Sequence, residues 1–205
     1  MNATLEAAPA AAVNRPGSRR NGTLRYMRHG LTEPNLAHVR CGGDLDVPLL
    51  EQGREHVAEA ARALAGMDPP VGLIITSDLR RTRETARIIA AELRTVEIQI
   101  VPAFAERRLG EWNLLSIEET EPWLEAGMDP PGGETDAEFT QRVARALHSV
   151  KPLLHLHPLL VGSKGVARVM GNMVGLPRRL DLGNAQIAEF KLAELPCLET
   201  TWGVL

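Results

Sequence analysis

Two cysteines in 205 residues, Cys41 and Cys197, are too few for a disulfide scaffold, and neither sits in a C-x-x-C or His-Cys spacing that would read as a zinc site. The expectation is a pair of free thiols and a cytoplasmic location. Aromatic residues are scarce as well, 3% of the chain, so the core must be built from Leu, Val, Ile and Ala. No apolar run approaches the roughly 18 residues needed to cross a bilayer, so no membrane partner is expected. A surplus of positive charge is also missing. The formal net charge of -3 gives no electrostatic case for a nucleic-acid partner, and any basic site must be local. The opening "MNATLEAAPAAAVNRPGSRRNG" lacks the basic-then-apolar order of a secretion signal. It reads as a flexible extension over 1–22, which leaves 23–205 as a single domain.

What remains is an ordinary globular balance, 44% hydrophobic and 24% charged, in which apolar runs alternate with helical patterns. That alternation predicts an α/β sheet protein. Strands are expected at "TLRYM" (23–27), "VGLIITS" (71–77), "EIQIVP" (97–102), "HPLLVGS" (157–163) and "AQIAEFKL" (185–192). Helices are expected over 49–66, 78–93, 134–150 and 165–175. The third opens with a Thr135/Glu138 capping box and the last is closed by Gly175. The segment 103–133 reads as loop with one helix near 117–126. The alternating run 185–192 suits an antiparallel edge strand, a place where a homodimer can pair.

Three of these strands end at basic or hydroxyl residues: Arg28 and His29, then Ser77 followed by Arg80, then Ser163 and Lys164. Ligands of open parallel sheets collect beyond the carboxyl ends of the strands, so these junctions are expected to meet there. Arg80, Arg81 and Arg83 crowd the first turn of a helix, where the macrodipole disfavours cations and a phosphate-like ligand offsets them. Arg80 is the preferred ligand, over the alternative in which it pairs with Glu84 at i, i+4. His29 stands between Arg28 and a glycine that permits close backbone approach, and histidine serves as nucleophile or base when one nitrogen is unprotonated. The other histidines lack such surroundings, and no pair suggests a metal.

These residues carry a recognisable pattern. "MRHGLTEPN" is similar to an R-H-G-x-T-x-x-N signature through Arg28, His29, Gly30, Thr32 and Asn35. "ITSDLRRTRETARIIA" matches S-x-L-x-R-x-x-x-T-A through Ser77, Leu79, Arg81, Thr85 and Ala86, and "AERRLGEWN" and "PGGETDAEFTQRV" follow in the same order. Over residues 23 to about 192 the chain thus resembles the histidine phosphatase superfamily, also called phosphoglycerate mutase-like. The resemblance implies a three-layer α/β/α sandwich with a mostly parallel central sheet. It also implies metal-independent and cofactor-independent phosphoryl transfer on a small phosphorylated substrate. His29 would form a phosphohistidine, and Glu106 would protonate the leaving oxygen, with Glu111 the weaker candidate. Arg28, Arg80 and Asn35 would hold the phosphoryl oxygens, helped by Thr32, and Arg81 is the reserve for Arg80. Such chemistry needs positioning and charge stabilisation.

The pattern breaks at "VGSKGVARV", where Ser163 occupies the place of the family's second histidine and Lys164 follows it. Losing one preorganised donor costs about 10²- to 10³-fold in rate. Ser163 and Lys164 are expected to contact the phosphoryl group in its stead, with His155 and His157 as further candidates. Two functions follow: a phosphatase, slow or specialised, and a degenerate member that binds a phosphorylated ligand or protein without turnover. The short span from Glu106 to Gly133 argues against a mutase. Substrate identity is expected to lie in 103–133 and in the loop 31–48, with Phe104, Trp112 and Trp123 as candidates for a specificity pocket.

Overall fold

Among the described residues, short segments bounded by turn residues form five strands: β1 (Thr23–Arg28), β2 (Leu73–Thr76), β3 (Glu97–Ile100), β4 (Leu159–Gly162) and β5 (Ile187–Lys191). The computed structural model describes residues 22–94, 96–176 and 181–192. Residues 1–21 of the expected extension over 1–22, and Cys197, lie outside the described residues. Six helices separate the strands: α1 (Glu33–Leu36), α2 (Glu51–Ala65), α3 (Arg80–Leu93), α4 (Ile117–Glu125), α5 (Asp136–Val150) and α6 (Lys164–Met173). The Thr135/Glu138 capping box opens α5 as expected, and Gly175 takes φ +73° just past α6.

The strands lie in the order β3-β2-β4-β1-β5. The first four are parallel, and β5 runs antiparallel to β1 with Thr23 opposite Lys191 and Met27 opposite Ile187. Central strands of a parallel sheet are covered on both faces, which is why β2 (LIIT) and β4 (LLVG) are buried throughout. The period-2 alternation sends Leu24, Tyr26, Ile75 and Leu160 to one face, against Phe139 and Val143 of α5 and Val166 and Met170 of α6. Met27, Ile74, Leu159 and Val161 go to the other, against Val57 and Ala61 of α2 and Ala86 and Ile89 of α3. A helix layer on each face makes the three-layer sandwich. No helix among the described residues is long and apolar enough to cross a membrane.

Because β4 lies between β1 and β2, the carboxyl ends of these three strands are neighbours. The β1–β4 ladder continues past the strand: the His29 N–H donates to the Gly162 carbonyl at 2.8 Å. His29 and Ser163 thereby leave adjacent strands side by side.

Candidate active site

A cavity of about 440 Å³ opens beyond these strand ends. Arg28, His29, Asn35, Glu106, Ser163 and Lys164, all expected from the sequence, line it. His29 is 4% exposed and its Nδ1 lies 2.8 Å from the Gly30 carbonyl. A carbonyl oxygen can only accept, so this contact puts the imidazole proton on Nδ1 and leaves the lone pair on Nε2. Burial, reinforced by the charges of Arg81 and Arg28, holds the His29 pKa well below the usual histidine range. The ring is therefore a neutral base or nucleophile at physiological pH.

Several neighbours fix this turn. The Gly30 N–H donates to the Thr85 hydroxyl at 3.1 Å, locking the loop to α3. A side chain at Gly30 would run into Gly53 and Val57 of α2, so the close approach needs glycine. Asn184 was not anticipated from the sequence. Its Nδ2 donates to the carbonyls of His29 (3.0 Å) and Gly30 (3.2 Å) and to Asn35 Oδ1 (3.0 Å). Asn35 Oδ1 also accepts from the Thr32 N–H and hydroxyl, which leaves the Asn35 amide nitrogen for the cavity. Thr32 itself is fully buried beneath Asn35 and does not line the cavity; its expected contact with a phosphate gives way to holding Asn35.

Neither Arg80 nor Arg81 is among the residues lining the cavity, and the two point to different faces of α3. Arg80 lies on the outer face of α3 with its side chain 54% exposed and its Nε 2.7 Å from Glu84, the i, i+4 pairing. Arg81 is 1% exposed, with its guanidinium donating to the carbonyls of Leu45 (2.9 Å) and Gly42 (3.1 Å) and its charge acting on both His29 and Arg28. The reason is helical periodicity. Arg81 shares its face with the buried Thr85 and Ile89, four and eight residues on, and Arg80 shares one with Glu84. The helix start is satisfied by Asp46, which accepts the Arg80 N–H at 2.6 Å.

Glu106 faces the same cavity, its Oε1 accepting from the Arg107 N–H (2.7 Å) and its Oε2 from the Gly165 N–H (2.8 Å). The second bond makes Glu106 the cap of α6, since Gly165 is among its unpaired first-turn donors. A methyl at Gly165 would overlap the Glu106 carboxylate. Buried Glu134 and half-buried Arg142 clamp the segment from behind: Arg142 bonds Glu134 at 2.8 and 2.6 Å and reaches the carbonyls of Ala103, Ala105 and Glu106. Glu111 is exposed and does not line the cavity.

Ser163 stands at the N-cap of α6, yet its hydroxyl makes no cap bond and is buried without a partner. Tyr26 donates to the Ser163 carbonyl at 2.6 Å and fixes the backbone there. Lys164 lies at the rim with its amine 2.9 Å from Asp181. The histidines before β4 do not approach: neither His155 nor His157 lines the cavity, and the Nδ1 of His155 is bonded to the Pro152 carbonyl. Nor do the aromatics form a specificity pocket. Phe104 is in the core, and Trp112 packs on Trp123 with ring centroids 5.4 Å apart. Leu109, Ile117 and Leu124 line the cavity in their place, with Val39 and Cys41 from the facing loop. Cys41 is a free thiol, and burial pushes its pKa up.

Comparison with known proteins agrees with this geometry. The family model described as "Histidine phosphatase superfamily (branch 1)" matches residues 24–200. A protein of Photorhabdus laumondii named "Probable phosphoglycerate mutase GpmB" is 34% identical over 193 residues, covering 86% of this chain and 87% of that one. Among solved structures, the product of the Mycobacterium tuberculosis open reading frame Rv3214 superposes with a TM-score of 0.69 at 28% identity, covering 82% of this chain and 90% of that one. The alpha-ribazole phosphatase from Shigella flexneri shares the fold, with a TM-score of 0.69 at 24% identity over 82% of this chain and 89% of its own.

Proposed function

Since the chain belongs to the histidine phosphatase superfamily, we propose that it is a metal-independent phosphatase acting on a small phosphomonoester through a phosphohistidine at His29. The observation that carries this reading is the state of His29, a buried neutral imidazole with its proton on Nδ1, on which the charges of Arg81 and Arg28 act. Nε2 attacks phosphorus in line, and the bond to the leaving oxygen breaks as Glu106 gives that oxygen a proton. In the second half Glu106 takes a proton from the attacking water, the N–P bond breaks, and inorganic phosphate departs.

Charge on the phosphoryl oxygens is met by Arg28 and Arg81, by the amide of Asn35, and by the hydroxyl of Ser163 at the N-terminus of α6. Lys164 supplies long-range charge from the rim, where Asp181 holds it. Ser163 is read as standing where the family carries a second histidine, so one neutral donor replaces a larger one. That replacement favours a second reading, a protein that binds a phosphorylated ligand without turning it over.

Phosphate release from a panel of phosphomonoesters, measured with a chelator present, separates the two. Turnover by the native chain that His29→Ala abolishes is the expected result. Silence from the native chain, with turnover appearing in Ser163→His, would establish the binding reading instead.

A further inference from the structure

The cavity is far larger than a phosphoryl group requires, and its mouth differs in character from its closed end. Four apolar side chains, Val39, Leu109, Ile117 and Leu124, line the cavity together with the buried His29 and Ser163. Cations are present too, and among the described residues each of Arg40, Arg107, Lys164 and Arg168 has a carboxylate partner. Arg40 bonds Glu121 at 2.7 Å, and its Nε bonds Thr120 at 2.7 Å. Lys164 bonds Asp181 at 2.9 Å, and Arg107 is held by Asp129. Arg168 is held most loosely, 4.0 Å from Asp136.

A second anionic group on a ligand would gain little from these cations, since it must displace a carboxylate already in place, and against the apolar wall it would lie unpaired, which is costly. An uncharged apolar group would bury that wall at no such cost. We infer that the alcohol released at this site is uncharged and largely apolar, an aryl or alkyl group, and that phosphates bearing a carboxylate or a second phosphate are disfavoured. The inference rests on the phosphatase reading only for turnover; the preference itself is a property of binding.

Calorimetric titration of the full chain with two stable phosphonates tests it: benzylphosphonate, and 3-phosphonopropanoate, which carries a carboxylate. Benzylphosphonate is expected to bind at least about tenfold more tightly. Ile117→Ser, a change at the first position of α4 that helix geometry tolerates, should lower the affinity for benzylphosphonate relative to inorganic phosphate. Glu121→Gln releases Arg40 and should shift the ratio toward 3-phosphonopropanoate. Equal or tighter binding of 3-phosphonopropanoate by the native chain would overturn the inference, as would failure of both phosphonates to bind. Selective binding of benzylphosphonate without turnover of any phosphomonoester would support it while removing the phosphatase reading.

Discussion

At the closed end of the cavity, Arg28, His29 and Ser163 leave the tips of two neighbouring strands, and buried hydrogen bonds fix them: the Gly162 and Gly30 carbonyls for His29, the Tyr26 hydroxyl for the Ser163 carbonyl. At the mouth, Arg40, Ile117, Glu121 and Leu124 come from a loop and from α4, and the charged members among them hold one another. The sheet register fixes where the first group can be, because a one-residue slip would turn every side chain to the other face. The second group is set by side-chain contacts that can be exchanged one at a time. Single changes at the closed end should therefore cost rate, and single changes at the mouth should alter selectivity.

The largest test of that contrast lies in two adjacent arginines. Arg81→Ala should lower kcat/KM by about 10²- to 10³-fold through loss of a preorganised cation. Arg80→Ala should stay within about threefold, because an exposed ion pair contributes little. Steady-state kinetics on one aryl phosphate decides between them, and the reverse order would return the phosphoryl contact to Arg80. Next in size is Gly165→Ala. Its methyl displaces the Glu106 carboxylate, and kcat should fall about 10²-fold with KM little changed, as for Glu106→Gln. A fall confined to KM would mean that Glu106 binds substrate without moving a proton.

The acid limb of the kcat/KM profile is a finer probe. His29 must be neutral to attack, and its pKa is depressed, so activity should persist as pH drops through the ordinary histidine range and fail only below it. Stability follows with a definite sign. Below about pH 6.5 the unfolded chain protonates this histidine while the folded one does not, so stability declines as pH falls toward the folded pKa. His29→Gln should flatten that part of the Tm-against-pH curve; an unchanged slope would show that His29 does not contribute to it. The smallest effect is expected from Asn184→Ala. With one of three contacts to Asn35 Oδ1 gone, KM should rise a few-fold, by about 1 kcal/mol of lost positioning, with kcat nearly constant.

Much of the closed end was legible beforehand because its residues are adjacent in sequence to strand ends, and strand ends follow from alternation and turn residues. Arg28, His29 and Ser163 are of this kind. Arg81 was legible too, had the helical period been followed from Ile89 back through Thr85, but the crowded first turn drew attention to Arg80. Asn184 left no comparable signal: it follows a glycine in a loop 155 residues from His29 and reaches it only because β5 returns antiparallel beside β1. Glu134 and Arg142 together hold the Glu106 segment, and nothing in their spacing announces it.

The amino-acid sequence alone determined the alternation of strands and helices, the two-faced sheet, the capping of α5 and the neutral-histidine chemistry offered by Arg28, His29 and Gly30. These depend on residues within a few positions of one another, where propensity and periodicity act directly. Only the tertiary structure decided that Arg81 turns inward, that Thr32 supports Asn35, that Leu109, Ile117 and Leu124 rather than the aromatics line the cavity, and that Arg40, Arg107, Lys164 and Arg168 each meet a carboxylate. Such outcomes depend on which side chains distant elements bring within a few ångströms, and no local rule carries that information.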